Sequence, residues 1–212
     1  MSALISKPKL VALTHPDSPR TELFRALKTN IEFAYDQRER RIMAVTSAKP
    51  GEGKTVTIAN LAVLYAQSGK RVLLVDANLR KPALHDLFAA DNREGLADLL
   101  AGGVSFDSVV QELSVPNLSL LPAGRLAGPP SELLGSERML ALLESLRIRY
   151  DHVLLDTSAM LGVTDSQVLS AFVDGLVLVV RAGKVKQREA MQAMEKMERV
   201  RAKVVGVVLN RA

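Results

Sequence analysis

The stretch from Ser47 to Thr55 reads SAKPGEGKT, and from Ala48 onward it follows the template of a phosphate-binding loop, with alanine in place of the first glycine. Its residue types suit the holding of a nucleotide's phosphates. Gly51 and Gly53 let the backbone turn its N–H groups toward an anion, and a helix starting at the end of the loop adds a favourable dipole. Lys54 then meets the β- and γ-phosphates, and the hydroxyl of Thr55 ligates Mg2+. Such a cation also seeks carboxylates at strand ends, and Asp76 and Asp156 each close an apolar run, VLLVD and VLLD. An aspartate so placed can instead cap the loop that follows it; two of them beside a phosphate loop point to the metal.

These residues need strands behind them and helices around them, and the chain supplies both in alternation. Apolar, β-rich runs occur at 42–46, 72–75, 118–121, 153–155, 176–180 and 204–209, each short enough for a buried strand. Helical periodicity occupies 21–35, 55–67, 83–88, 96–101, 132–149, 165–172 and 187–201. Strands apolar along their whole length, alternating with helices, predict an α/β fold of the P-loop NTPase type: a mostly parallel, twisted sheet with helices on both faces. Thr164 and Gln167 have capping-box spacing, and Ser131 after Pro129-Pro130 is the expected N-cap of the 132–149 helix. Residues 121–130, rich in Gly and Pro, predict a loop, and Met191, Met194 and Met197 fall at helical spacing as core positions.

The 212 residues fit a single domain, with residues 1–18 as an N-terminal extension and 19–36 as a separate leading helix. Hydrophobic residues make up 48% and charged residues 24%, as in an ordinary globular core. The opening MSALISKPKL lacks the apolar core of a secretory signal, and no apolar run approaches the roughly 18 residues of a membrane span. There is no cysteine, so thiolate metal sites and disulfides are excluded and a cytoplasmic location is expected. The formal charge of +5 comes with acids and bases mixed through most of the chain. RERR near Arg38 and KVKQR at Lys184 read as solvated surface, and no nucleic-acid partner is expected.

The phosphate loop, VLLVDANLRKP, the strand ending at Asp156, PPSELL at 129–134 and the closing GVVLNR together resemble the bacterial tyrosine kinases of capsule and exopolysaccharide synthesis, relatives of the MinD and ParA ATPases. The resemblance implies that ATP and Mg2+ bind along Lys49, Gly51, Glu52, Gly53, Lys54, Thr55 and Val56, with Asn210 and Arg211 completing the nucleotide site. Lys54 would stabilise the transferring phosphoryl group, Thr55 and Asp156 would hold the metal, and Asp76 would be a further metal partner or the base for a tyrosine hydroxyl. Asn210 would contact adenine or simply end the last strand. Glu22, Arg25 and Lys28 match the family's oligomerisation pattern, with lysine in its last position, and imply a ring or dimer. A separate membrane activator of the polysaccharide co-polymerase type and a protein tyrosine substrate are the implied partners, placing the chain at the cytoplasmic face of the membrane.

The chain departs from that pattern in places. Asn78 stands where the family carries a second catalytic aspartate, and an amide can neither act as a base nor bring charge to Mg2+. Either Asp76 suffices or turnover is reduced. Ser158-Ala159 replaces the usual two prolines, which predicts a softer loop after Asp156. The tyrosines are Tyr35, Tyr65 and Tyr150, each in or beside a helical pattern, and no tyrosine cluster follows Arg211. Lys49 occupies the signature-lysine position of the MinD group, although Pro50 replaces that group's glycine. Three readings remain open: a tyrosine autokinase, a dimeric switch ATPase, and a catalytically weak nucleotide-binding adaptor.

Overall fold

A computed structural model describes residues 10–34 and 41–210, so Tyr35, Arg38 and Arg211 lie outside the described residues. Seven strands form one sheet: β1 (Arg41–Ser47), β2 (Val72–Asp76), β3 (Gln111–Glu112), β4 (Leu118–Leu121), β5 (His152–Ala159), β6 (Gly175–Arg181) and β7 (Val204–Asn210). Their order is β3-β4-β2-β5-β1-β6-β7, and every pairing is parallel except that of β3 with β4. β1, β2 and β5 are buried at every residue, which is why their sequences are apolar runs and not alternations.

Side chains still alternate between faces, and this divides the core in two. Ile42, Ala44, Leu73 and Val75 point into one layer, where α5 (Leu96–Ala101), α6 (Phe106–Val109), α7 (Pro130–Leu134), α8 (Glu137–Arg149), α9 (Asp165–Ser170) and α10 (Gln187–Arg199) pack. Met43, Val45, Val72 and Leu74 point into the other, against α1 (Val11–Thr14), α2 (Pro19–Phe33), α3 (Lys54–Gln67) and α4 (Leu84–Phe88). α3 is buried almost all round, from Thr57 to Ala66, because α1 and α2 cover the side that does not face the sheet. That covering explains a difference from the expected extension: Leu10 and Ala12 are buried, and the Ala12 N–H donates to Asn60 Oδ1 at 2.9 Å. The leading helix begins at Pro19, two residues before its apolar pattern, because Ser18 caps it by accepting from the Thr21 N–H at 3.2 Å.

Several expectations are corrected. The 132–149 helix is two helices: Ser136 is extended (φ −74°, ψ 156°) and caps α8 by accepting from the Met139 N–H at 3.2 Å. Gly135, between the two, lets α7 lie close on α9, since a Cβ there would stand 3.0 Å from Val168 Cγ1. Ser131 is inside α7, whose N-cap is Pro129. Thr164 does precede α9, but its side chain makes no cap bond, so the capping box does not form. Met197 is buried and Met194 packs on the core, whereas Met191 is 55% exposed. Arg41, the last residue of RERR, is buried at the start of β1 and is not solvated surface. β3 and α6, of 2 and 4 residues, are too short to leave a periodic signal.

Ser136→Ala should therefore lower stability by about 1 kcal/mol in urea unfolding, the usual worth of an N-cap, while Ser131→Ala should change it by far less. Equal losses would restore the single helix.

Candidate nucleotide and metal site

The site lies where β1, β2 and β5 end. Residues 48–53 leave β1 and enter α3 at Lys54, and both turns use left-handed glycines, Gly51 at φ 82° and Gly53 at φ 100°. At Gly53 a side chain is excluded twice, because a Cβ would also stand 2.1 Å from Asn210 Nδ2. Glu52 holds the loop from within. Its carboxylate is buried and accepts from the backbone N–H groups of Lys49 and Arg181, while its carbonyl accepts from Asn210 Nδ2 at 2.8 Å. Burial raises the Glu52 pKa against the lowering effect of those N–H groups and of Lys184. Val56 lies in the first turn of α3, where its carbonyl accepts from Asn60 Nδ2 at 2.8 Å.

Parallel pairing sets Asp76 of β2 directly opposite Asp156 of β5, and both are fully buried. Thr55 Oγ1 donates to Asp156 Oδ2 at 2.6 Å, and Asp156 Oδ1 has no hydrogen-bond partner among the described residues. Burial, opposed by Lys54 and reinforced by Asp76, pushes the Asp156 carboxyl up to about 7. Lys54 is itself 8% exposed at the head of α3. Asp76 performs the capping role that the sequence left open. Its Oδ2 accepts from the Ala83 and Leu84 N–H groups at 2.9 and 3.0 Å, and its Oδ1 from the Asn78 N–H at 3.3 Å. Burial still raises its pKa, with those three bonds pulling the other way.

A buried carboxylate oxygen with nothing to accept from fits a cation. Mg2+ keeps waters and phosphate oxygens beside one or two carboxylates, so a single open carboxylate oxygen next to a hydroxyl and a phosphate loop fits it. Thr55 and Asp156 would hold it.

Asn78 turns its amide into its own loop, donating Nδ2 to the Lys81 carbonyl at 2.8 Å, a bond that an ionised aspartate could not make. The loop after Asp156 is not softened by the loss of prolines. β5 bulges opposite Thr46, where Thr46 Oγ1 donates to the Ser158 carbonyl at 2.8 Å, Thr157 Oγ1 to the Val45 carbonyl at 2.9 Å, and Ser158 and Ser166 share a hydroxyl bond of 2.8 Å.

Lysines from two segments border the loop. Lys49 Nζ pairs with Glu189, which also caps α10 by accepting from the Lys186 N–H at 3.0 Å. Lys184, Lys186 and Arg188 are exposed, as the solvated-surface reading expects, and Lys184 Nζ also lies 3.5 Å from where a Cβ on Gly51 would be, so KVKQR borders the phosphate loop. Nothing local in the sequence around Lys184 marks it, because the sheet order brings β6 beside β1.

The oligomerisation residues do not converge. Glu22 and Arg25 pair on the exposed side of α2, whereas Lys28 turns inward, 3.2 Å from Glu32 and 5.2 Å from the Tyr65 ring centre. Tyr65 is buried against His152, and Tyr150 is half-buried with its ring edge-on to Phe106.

Residues 40–206 match the family model described as an AAA domain. The chain is 41% identical over 201 residues to the tyrosine-protein kinase YwqD of Bacillus subtilis, covering 95% of this chain and 85% of that one. It is 36% identical to the tyrosine-protein kinase etk of Escherichia coli K12, covering 94% of this chain but only 28% of that longer protein. Among solved structures, the chimerical protein CapA2B2 superposes with a TM-score of 0.92 at 37% identity, covering 96% of this chain and 90% of that one. The septum site-determining protein MinD of Pyrococcus horikoshii, complexed with Mg-ADP, superposes at 0.69 with 25% identity, covering 81% and 70%.

The raised Asp156 pKa has a consequence for the nucleotide-free protein. Its carboxyl holds a proton up to about 7 when folded but only to 3.8 when unfolded, so the stability this one group contributes is full below pH 4 and is lost as pH rises through about 7. Asp156→Asn should remove that slope: in urea unfolding the variant should be more stable than the parent at pH 8, by on the order of a few kcal/mol, and the gap should narrow toward pH 5. A gap independent of pH would contradict the assignment.

Proposed function

Because the chain belongs to the bacterial tyrosine-protein kinases, we propose that it transfers the γ-phosphoryl group of ATP to tyrosine hydroxyls of proteins that govern capsule or exopolysaccharide production. One observation carries the proposal: Thr55, Asp156 and Lys54 meet at the head of α3, and the buried Asp156 still has an oxygen to offer.

Phosphoryl transfer needs positioning and charge neutralisation more than covalent help. Backbone N–H groups of residues 51–54 would cradle the phosphates, and Lys54 would offset charge on the transferring group. Bound Mg2+ would neutralise the phosphate oxygens and fix their orientation. Thr55 and Asp156 would hold that ion, whose charge, added to that of Lys54, would favour the ionised Asp156 carboxylate once the site is filled. Asp76, clasped by three backbone N–H groups, would add negative potential and accept the tyrosine proton through the remaining lone pair of Oδ1. Asn78 would fix the loop that carries Asp76 and take no proton itself, so Asp76 alone would suffice. Lys49 and Lys184 would steer the nucleotide, and Asn210 would contact the base from the edge of the loop.

The acceptor would come from another chain or from sequence outside the described fold. Tyr65 is buried, and Tyr150 precedes β5, at the end of that strand opposite Asp156. Self-association through the exposed Glu22–Arg25 side of α2 would bring such a tyrosine to the site, and a membrane activator of the co-polymerase type would hold the assembly at the cytoplasmic face. No described helix is long and apolar enough to cross a membrane. A switch ATPase in which Lys49 reaches a partner's nucleotide is less well supported, because Glu189 of the same chain already engages that lysine.

Incubation with γ-labelled ATP, Mg2+ and a tyrosine-rich peptide should yield phosphotyrosine, and Lys54→Ala should cut the rate by about 10²- to 10³-fold. Labelling should not require Asn78→Asp. Phosphate release without phosphotyrosine would favour the switch, and labelling only after Asn78→Asp would mean an impaired kinase.

A further inference from the structure

We propose that Arg80 is a positioning residue of this site, acting through its ion pair with Asp165 to hold the Asp76 loop against the segment that follows Asp156. The inference rests on the reading of Asp76 and Asp156 as the paired carboxylates of the site. β2 and β5 deliver them side by side, but beyond that point the two chains diverge, residues 77–83 toward α4 and residues 160–164 toward α9. The ladder sets the spacing of the two residues, but the loop whose N–H groups orient the Asp76 carboxylate lies beyond it and needs a tie across the divergence.

Arg80 supplies it. Its Nε donates to Asp165 Oδ2 at 2.7 Å and its Nη2 to Asp165 Oδ1 at 3.1 Å, a two-pronged contact that fixes direction as well as distance. The Asp165 side chain is 2% exposed, whereas that of Arg80 is 43% exposed, so the pair is anchored at the acidic end. Among the described residues it is the one ion pair that joins these two segments. Each end is fastened in turn to a carboxylate of the site. On one side, Arg80 lies within the loop that Asp76 closes by accepting from Ala83 and Leu84, and that Asn78 braces through the Lys81 carbonyl. On the other, Ser166 follows Asp165 and shares its hydroxyl bond with Ser158, two residues beyond Asp156 on β5. The path from Asp76 to Asp156 through Arg80 is thus continuous and polar, and it touches neither the phosphate loop nor Lys54.

Loss of Arg80 would strand a buried carboxylate and free the loop; lysine would restore the charge but not the fork. The direct test is amide hydrogen exchange at Ala83 and Leu84, the donors to Asp76, in the nucleotide-free chain, with urea unfolding to correct for global stability. Arg80→Ala should speed exchange at both amides by about tenfold or more beyond the global change, with Val177–Val179 of β6 moving only with the global change. Arg80→Lys should fall between, and Asp165→Asn should match Arg80→Ala. In parallel, the Mg2+ concentration that half-saturates binding of a fluorescent ADP should rise by about tenfold in Arg80→Ala, while the Mg2+-free nucleotide affinity stays within twofold or so. Unchanged exchange at Ala83 and Leu84 would overturn the proposal, as would an equal loss of Mg2+-free affinity, which would make Arg80 a direct nucleotide contact. Neither readout involves tyrosine: a chain that shows both shifts yet labels no peptide keeps this inference and loses the kinase reading.

Discussion

Two carboxylates buried side by side are costly, and the architecture of this chain is arranged around making that placement tolerable. Asp76 and Asp156 are register partners on adjacent parallel strands, so no side-chain rotation can separate them far. Water is excluded from both. The fold relieves the strain differently at each. Asp76 is wrapped by three backbone N–H groups, while Asp156 has one hydroxyl bond and the nearby charge of Lys54, and it keeps one oxygen without a donor. The first is a structural clasp that also projects charge. The second is incomplete as it stands and would be completed by a cation.

The sheet order makes this possible. β5 lies between β2 and β1, so the strand ending in Asp156 is flanked by the strand ending in Asp76 and by the one that runs into the phosphate loop. Three segments far apart in sequence thus end within reach of one another, at the carboxyl edge where open α/β sheets hold their ligands. The loop itself is stiffened from beneath by Glu52, whose burial is repaid by bonds to Lys49, Arg181 and, through its carbonyl, Asn210. β6 and β7 therefore contribute to the phosphate loop without donating any residue of its motif.

Much of this was legible because the responsible signals are local. SAKPGEGKT, the apolar runs ending at Asp76 and Asp156, and the spacing of α3 each depend on neighbours within a few residues, and each is found in place. What escaped depends on partners far along the chain. Lys184 stands in an ordinary basic stretch and becomes part of the site only because β6 pairs with β1. Arg80 sits inside a quoted motif, yet its role is invisible without Asp165. Ser158 looks like a lost proline until Thr46 and Ser166 are seen to bond it. The break between α7 and α8 was missed for the opposite reason: the periodicity of residues 132–149 continues across Gly135 and Ser136, although Ser136 is extended there and caps α8.

The central claim is that the open oxygen of Asp156 and the hydroxyl of Thr55 hold the cation that accompanies the nucleotide. Crystals grown with ADP and Mn2+ in place of Mg2+ test it most directly through the anomalous signal of the metal. The account predicts a single strong peak between Thr55 Oγ1 and the Asp156 carboxylate, beside the phosphate loop. A peak held elsewhere, or nucleotide bound in the loop with Thr55 and Asp156 still bonded only to each other, would contradict it.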